Sequence, residues 1–252
     1  MTEPDPRVLV FADGEELAHA AAEEFVVCAS RGTPEAPCRV CLSGGATPEP
    51  MYRILASEPT RSRIDWSAIE FYFGDERPVP PDHPDSNYGM VKRVLLEPLG
   101  LAAPKVYRIR GEAMDLELSA VRYEALVRSR FGVYPPADPA FDLAYLGLGA
   151  DGHTASLFPG VTIPDPPPRL YVSAWAEAVH SMRATATYRL LNAAHRVLFL
   201  VAGADKARAV QRTLAREDRD EPTPASRIAP RGETVWLLDR DAAGALPKAA
   251  LR

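Results

Sequence analysis

Cysteine is scarce in this sequence: Cys28, Cys38 and Cys41 are the three in 252 residues. A low, odd count excludes the disulfide framework of a small secreted domain. Cys38-Arg39-Val40-Cys41 has the spacing used in redox and zinc sites. The chain around it reads as a strand, however, where residues three apart face opposite sides, and no second cysteine pair follows. No metal and no cofactor are expected. Long apolar runs are also lacking, and the first ten residues carry neither a basic head nor an extended apolar core. The expected location is therefore the cytoplasm, with no membrane partner. Nor is there a basic excess: 29 Lys and Arg stand against 34 Asp and Glu, a formal net charge of −5. That balance argues against a general affinity for nucleic acid.

What is present is an ordinary globular mixture, 46% apolar and 25% charged, long enough to bury a substantial core. Short apolar strands alternate with amphipathic stretches. Strands are expected at Val8–Phe11, Arg39–Leu42, Ile69–Phe73, Asp142–Gly147, Arg196–Val201 and Val235–Leu238. Helices are expected at Glu15–Ser30, Pro48–Ser57, Asn87–Leu95 and Leu116–Phe131, with a further one carrying Ala207, Val210 and Leu214 on one face. This alternation predicts an α/β fold with a doubly wound, mostly parallel sheet and helices on both faces. The proline clusters at Pro34–Pro37, Pro78–Pro84, Pro135–Pro139 and Pro164–Pro168 sit between elements of one pattern, so they read as stiff loops within a single domain spanning residues 1–252. Open α/β sheets bind ligands beyond the carboxyl ends of their strands, which directs attention to three loops.

The first is Ser43-Gly44-Gly45-Ala46-Thr47-Pro48. Two glycines allow a tight turn, and Thr47 at an N-cap with Pro48 behind it would open a helix. Such a turn either joins strand to helix or offers backbone N–H groups and the Ser43 and Thr47 hydroxyls to an anion. The second is Asp75-Glu76-Arg77, followed by Ser86-Asn87-Tyr88. Two carboxylates and an arginine directly after an apolar strand either tie neighbouring loops together or face a site. Arg77 suits phosphate, carboxylate or a developing oxyanion. Ser86 and Asn87 suit a helix N-cap. The third is Gly147-Leu148-Gly149-Ala150-Asp151-Gly152-His153. His153 lands where a short helix would begin, so it is either a cap or a general base working near neutrality, with Asp151 orienting it or lining the pocket. His19, His83, His180 and His195 have no such setting and read as surface or packing residues.

Taken together, these segments resemble the 6-phosphogluconolactonase family. Ser43-Gly44-Gly45-x-Thr47-Pro48, Asp75-Glu76-Arg77 through Ser86-Asn87-Tyr88, and Gly147-x-Gly149-x-Asp151-Gly152-His153-Thr154-Ala155-Ser156-Leu157-Phe158-Pro159-Gly160 match it in order and spacing. So do Leu191-Asn192-Ala193-Ala194, Gly203-Ala204-Asp205-Lys206-Ala207 and Pro224-Ala225-Ser226-Arg227-Ile228. The glucosamine-6-phosphate deaminases are similar, but their loop continues His-Ile-Ala-Phe-Asn-Glu-Pro; here Phe158 stands in the glutamate's place and cannot transfer protons. The chain departs from the family pattern at Ala150, where proline is common, and at Val161, where histidine is common. It also lacks the proline-rich run before Arg183, which aligns with a substrate-contacting arginine.

The resemblance implies hydrolysis of 6-phosphoglucono-δ-lactone, the second step of the oxidative pentose phosphate pathway. His153 would activate water, and Asp151, Asp75 and Arg77 would complete the catalytic group. Ser43, Gly44, Gly45, Thr47, Lys206 and Arg183 would hold the phosphate, with the oxyanion on Arg77 or on backbone N–H groups of the Gly147–Gly152 turn. The partner would be the small sugar-phosphate lactone alone, and the protein a monomer or weak homo-oligomer. A deaminase or isomerase of hexose phosphates and a non-catalytic sugar-phosphate sensor are the rival readings.

Overall fold

The computed structural model describes residues 6–100, 105–161, 163, 169–215 and 222–247. The proline cluster at 164–168 lies outside them. Strand β1 (Arg7–Phe11) leads to helix α1 (Gly14–Ala29). The Asp13 carboxylate accepts from the N–H groups of Glu15 and Glu16, both at 2.9 Å, and so fixes where that helix starts. Leu17, Ala18, Ala21, Phe25 and Cys28 then fall on one buried face. Next come β2 (Cys38–Leu42), α2 (Glu49–Leu55), β3 (Ile69–Phe73) and the two-residue β4 (Asp75–Glu76).

The helix expected over Asn87–Leu95 is α3 (Asn87–Val91), which continues through one wide π turn at Lys92–Leu96 into α4 (Glu97–Leu99). Pro98 follows the widened turn and has no N–H to donate there. Helix α5 (Leu116–Phe131) ends at Gly132 in the left-handed region, φ 64°. The remaining elements are β5 (Leu143–Leu146), β6 (Tyr171–Ala176), β7 (Ser181–Ala186), α6 (Tyr188–Leu191), β8 (Arg196–Val201), α7 (Ala207–Ala215) and β9 (Glu233–Asp239).

Six strands form one sheet in the order β1-β9-β8-β5-β2-β3, and each neighbouring pair is parallel. The doubly wound arrangement expected from the alternation is therefore present. Its central strands read as continuous apolar runs because both faces are covered: all four residues of β5 are buried, as are five of the six in β8. Burying one such large side chain contributes about 2 kcal/mol. From β2 the chain moves to β3 on one side and later returns to β5 on the other. The loops after β2 and β5 therefore part from each other at a topological switch point, where such sheets hold ligands.

A second sheet, three strands in the order β4-β7-β6 and antiparallel, was not anticipated. Strand β3 runs into it through Gly74, whose N–H donates to Leu42 of the main sheet and whose carbonyl accepts from Ala186 of β7. That hand-over turns Asp75 and Glu76 away from the main sheet, at its carboxyl edge. Among the described residues, no helix is long and apolar enough to cross a membrane.

Candidate active site

Three loops meet at the switch point and enclose a cleft of about 350 Å³. Ser43, Gly44, Gly45, Thr47, Asp75, Arg77, Asn87, Gly149, His153 and Lys206 all line it. Eight of these, all but Asn87 and Gly149, had been singled out as catalytic or phosphate-binding in the sequence, and the eight arrive from four separate stretches of chain.

The loop after β2 is held from below by Tyr52, a fully buried residue of α2 whose hydroxyl donates to the Ser43 carbonyl at 2.8 Å. Thr47 is not the cap of the next helix. An additional turn occupies residues 46–48, Pro48 takes the N-cap position without a side-chain bond, and the proline of the first helical turn is Pro50. The displaced Thr47 side chain lines the cleft instead. Among the described residues, no hydrogen bond occupies the backbone N–H groups of Gly44, Gly45, Ala46 or Thr47. Gly44 has no room for a side chain, because a Cβ there would stand 1.7 Å from Oδ1 of Asn87.

Asp75, 7% exposed, accepts from the Ser156 hydroxyl at 2.6 Å on one carboxylate oxygen and from the Asn87 side-chain amide at 3.1 Å on the other. The same amide donates to the Asp75 carbonyl at 2.9 Å. This leaves Asn87 Oδ1 buried against Gly44 without a hydrogen-bond partner. Glu76 does not reach the cleft. It accepts from the N–H groups of Arg77, Asn87 and Tyr88 and from the Ser86 hydroxyl, at 2.8 to 3.0 Å. Burial pushes its carboxyl up against those N–H donors, which pull the other way. Ser86 caps α3 as expected, accepting from Gly89 N–H. Glu76 is thus the knot of the loop, held by hydrogen bonds and not by an ion pair.

Arg77 gives a guanidinium N–H to the Asp85 carbonyl at 2.5 Å. Neither Arg77 nor Arg183 has a carboxylate within ion-pair distance among the described residues. Arg183, half-buried on β7, lies outside the lining of the cleft, and its own N–H donates to the Met182 carbonyl at 2.9 Å. Burial first, and then the neighbouring Arg77, pull its guanidinium below the usual range. Lys206 enters the cleft from a short 3-10 turn, Ala204–Lys206, that precedes α7, with its ammonium 3.0 Å from the exposed Asp205 carboxylate.

The loop after β5 does not start a helix at His153. Residues 154–157 form a tight turn in which Leu157 N–H donates to the Thr154 carbonyl, the Thr154 hydroxyl donates to Gly147, and Ala155 takes φ 47°. Those bonds use the polar groups that a helix start would need. His153 Nδ1 lies 2.6 Å from Asp151 Oδ1, and the same oxygen accepts from His153 N–H at 3.0 Å. A carboxylate only accepts, so in the neutral ring Nδ1 carries the proton and Nε2 the free lone pair. The ring sits directly over Gly149, where a Cβ would be 2.0 Å from Nδ1. Asp151 itself stays behind the histidine, outside the cleft lining. Tyr52, Ser156 and Phe158 were not assigned to the site from the sequence; Phe158 was noted only for standing in the deaminase glutamate's place, and nothing in local spacing marks Tyr52 or Ser156. Ser156 meets Asp75 across 81 residues of chain.

Comparison with known proteins gives the family and the fold. The model of a family described as glucosamine-6-phosphate isomerases/6-phosphogluconolactonase matches residues 12–236. A 6-phosphogluconolactonase of Aggregatibacter actinomycetemcomitans is 34% identical over 236 residues, covering 93% of this chain and 97% of that protein. One from Synechocystis is 41% identical over 206 residues, covering 81% and 82%. Among solved structures, 6-phosphogluconolactonase from Trypanosoma cruzi superposes with a TM-score of 0.84 at 27% identity, covering 98% of this chain and 99% of that one. The chain belongs to the glucosamine-6-phosphate isomerase/6-phosphogluconolactonase family.

Proposed function

We propose that this protein hydrolyses 6-phospho-D-glucono-1,5-lactone to 6-phosphogluconate, with His153 as the base that activates water. One observation carries the reading: an imidazole whose Nδ1 is held by Asp151 at 2.6 Å shares a cleft with an unspent row of backbone N–H groups and a lysine. The first arrangement suits proton removal by Nε2, and the second suits a phosphate.

In this mechanism the phosphate rests on the Ser43–Thr47 loop with Lys206 beside it, and Arg183 adds positive charge from behind. Water gives a proton to His153 and attacks the lactone carbonyl carbon. The tetrahedral oxyanion falls to Arg77. Two donors of the Gly147–Gly152 turn are already engaged, Gly149 N–H with His153 O and Gly152 N–H with Gly149 O, which favours the guanidinium. A well-aimed donor of this kind is worth about 3 kcal/mol of transition-state stabilisation. As the C–O bond breaks, the imidazolium returns its proton to the ring oxygen, which leaves as the new hydroxyl. Asp75, with both carboxylate oxygens engaged, holds the wall of the cleft and does not move a proton. Phe158 gives no support to the deaminase reading, since no carboxylate replaces it at that position.

The reading also places the protein in the cytoplasm, acting on a small substrate without a cofactor, as a monomer or weak homo-oligomer. Its test is acid release from freshly generated lactone beside a no-enzyme blank. Acceleration of the 6-phosphorylated lactone, with the unphosphorylated lactone much slower, is expected. A rate equal to the blank with both would refute it.

A further inference from the structure

The amino ends of the strands, away from the cleft, hold a pair of adjacent thiols. Cys28 near the end of α1 and Cys38 at the start of β2 place their Sγ atoms 2.8 Å apart, although ten positions separate them in sequence. A disulfide needs a sulfur separation of about 2.05 Å, so less than about 1 Å of approach is required. The connection between them is braced: Thr33 N–H donates to the Ala36 carbonyl at 3.0 Å, and Ala36 N–H returns to the Thr33 hydroxyl at 3.1 Å. A surface pocket of about 650 Å³, walled by Arg31, Pro37, Arg39, Asp142 and His195, also counts the two buried cysteines among its lining residues. Cys41, the remaining thiol, lies fully buried elsewhere on β2 and outside this pocket.

We propose that Cys28 and Cys38 form a reversible disulfide when the protein meets a mild oxidant such as hydrogen peroxide. In the first step the Cys28 sulfur attacks one peroxide oxygen, the O–O bond breaks, and the departing hydroxide takes up a proton as water. In the second step Cys38 gives up its proton, its sulfur attacks Cys28 sulfur, and the S–O bond breaks to release a second water. Two thiols are oxidised and one peroxide is reduced to two waters. The neighbouring Cys28 sulfur, and then burial, hold the Cys38 thiol in its protonated form, which makes the second step slow. The bond would tie α1 to β2 and close the 29–37 connection, about 15 Å from the Ser43 loop given the five residues of β2. In a reducing cytoplasm such a pair is normally open and closes only under oxidative load.

The test treats the full protein with hydrogen peroxide, then alkylates and digests it. Wild type is expected to lose about 2 Da, to yield a peptide joining Cys28 to Cys38, to keep Cys41 alkylatable, and to revert with dithiothreitol. Its midpoint of thermal unfolding should rise by about 5 °C in the oxidised form, while lactone hydrolysis changes less than about twofold. Cys38→Ala and Cys28→Ala should show neither link nor shift. A mass gain in oxygen steps without a link, a link through Cys41, or three thiols still free after treatment would each overturn the proposal.

Discussion

The ring of Phe158 lies over the imidazole of His153, with centroids 4.1 Å apart and planes 30° from parallel. Asp151 holds the same imidazole by its edge, so the ring is fixed in two directions by neighbours within five residues. Phe158 is 7% exposed and fills the space behind the base. The residue that distinguishes this loop from the deaminase sequence therefore also positions the base. Phe158→Leu keeps an apolar filler but removes the flat face. It should lower kcat by about tenfold with little change in KM, because it disturbs the base and not the phosphate contact. Steady-state kinetics of this variant, beside its melting curve, checks this; an unchanged kcat would remove the positioning role.

Asp151→Asn tests the other constraint. An amide can present its NH2 to Nδ1 and so favour the tautomer with the proton on Nε2, which leaves no lone pair for water. A fall in kcat of about 10²-fold or more is expected, with the fold intact by circular dichroism. Wild-type turnover in this variant would show that the 2.6 Å contact does not set the tautomer.

Lys206→Ala should act on binding. Removing one charged contact to a phosphate costs about 1.5–3 kcal/mol, a rise in KM of about tenfold to a hundredfold, with kcat much less affected if the contact persists unchanged in the transition state. The unphosphorylated lactone should be indifferent to the change. A kcat effect equal to the loss in kcat/KM would instead place Lys206 at the reacting carbonyl.

Glu76 gives a pH dependence of stability. Its folded-state carboxyl titrates above the ordinary value, with burial as the largest cause. The sign follows: its contribution to stability is fully present below about pH 4, the ordinary glutamate range, and is lost as pH rises through the raised folded value. Glu76→Gln lacks that titration and turns an amide NH2 toward N–H donors. It should be less stable than wild type at pH 4, and the gap should narrow toward pH 7. Urea midpoints at the two pH values read this directly; a gap that widens with pH would reverse the assignment.

The main sheet was legible because its strands are buried on both faces and read as short apolar runs such as Leu143–Leu146, each followed by an amphipathic helix. The small sheet was not. Strand β4 has two residues, and β6 runs through three half-buried residues to the exposed Trp175 and the buried Ala176, so neither shows a clean alternation. The chemistry-bearing loops were legible for a similar reason: polar residues and glycines directly after apolar strands mark the carboxyl edge. Their local shape was harder to read. Thr47 looked like a cap because a threonine preceded a proline, but an added turn moved the cap to Pro48. His153 looked like a helix start, but Thr154 bonds to Gly147 and forms a tight turn instead. A contact such as Ser156 with Asp75 depends on how the strands are ordered in the sheet, which no local spacing encodes.

The central claim is that His153 supplies the base for lactone hydrolysis. The most direct measurement compares wild type, His153→Ala and a no-enzyme blank on freshly made 6-phosphoglucono-1,5-lactone, with spontaneous hydrolysis subtracted. The account predicts that wild type accelerates the reaction and that the variant, still folded and still binding 6-phosphogluconate, loses about 10²- to 10⁴-fold in kcat. A His153→Ala protein that turns over the lactone at the wild-type rate would contradict it.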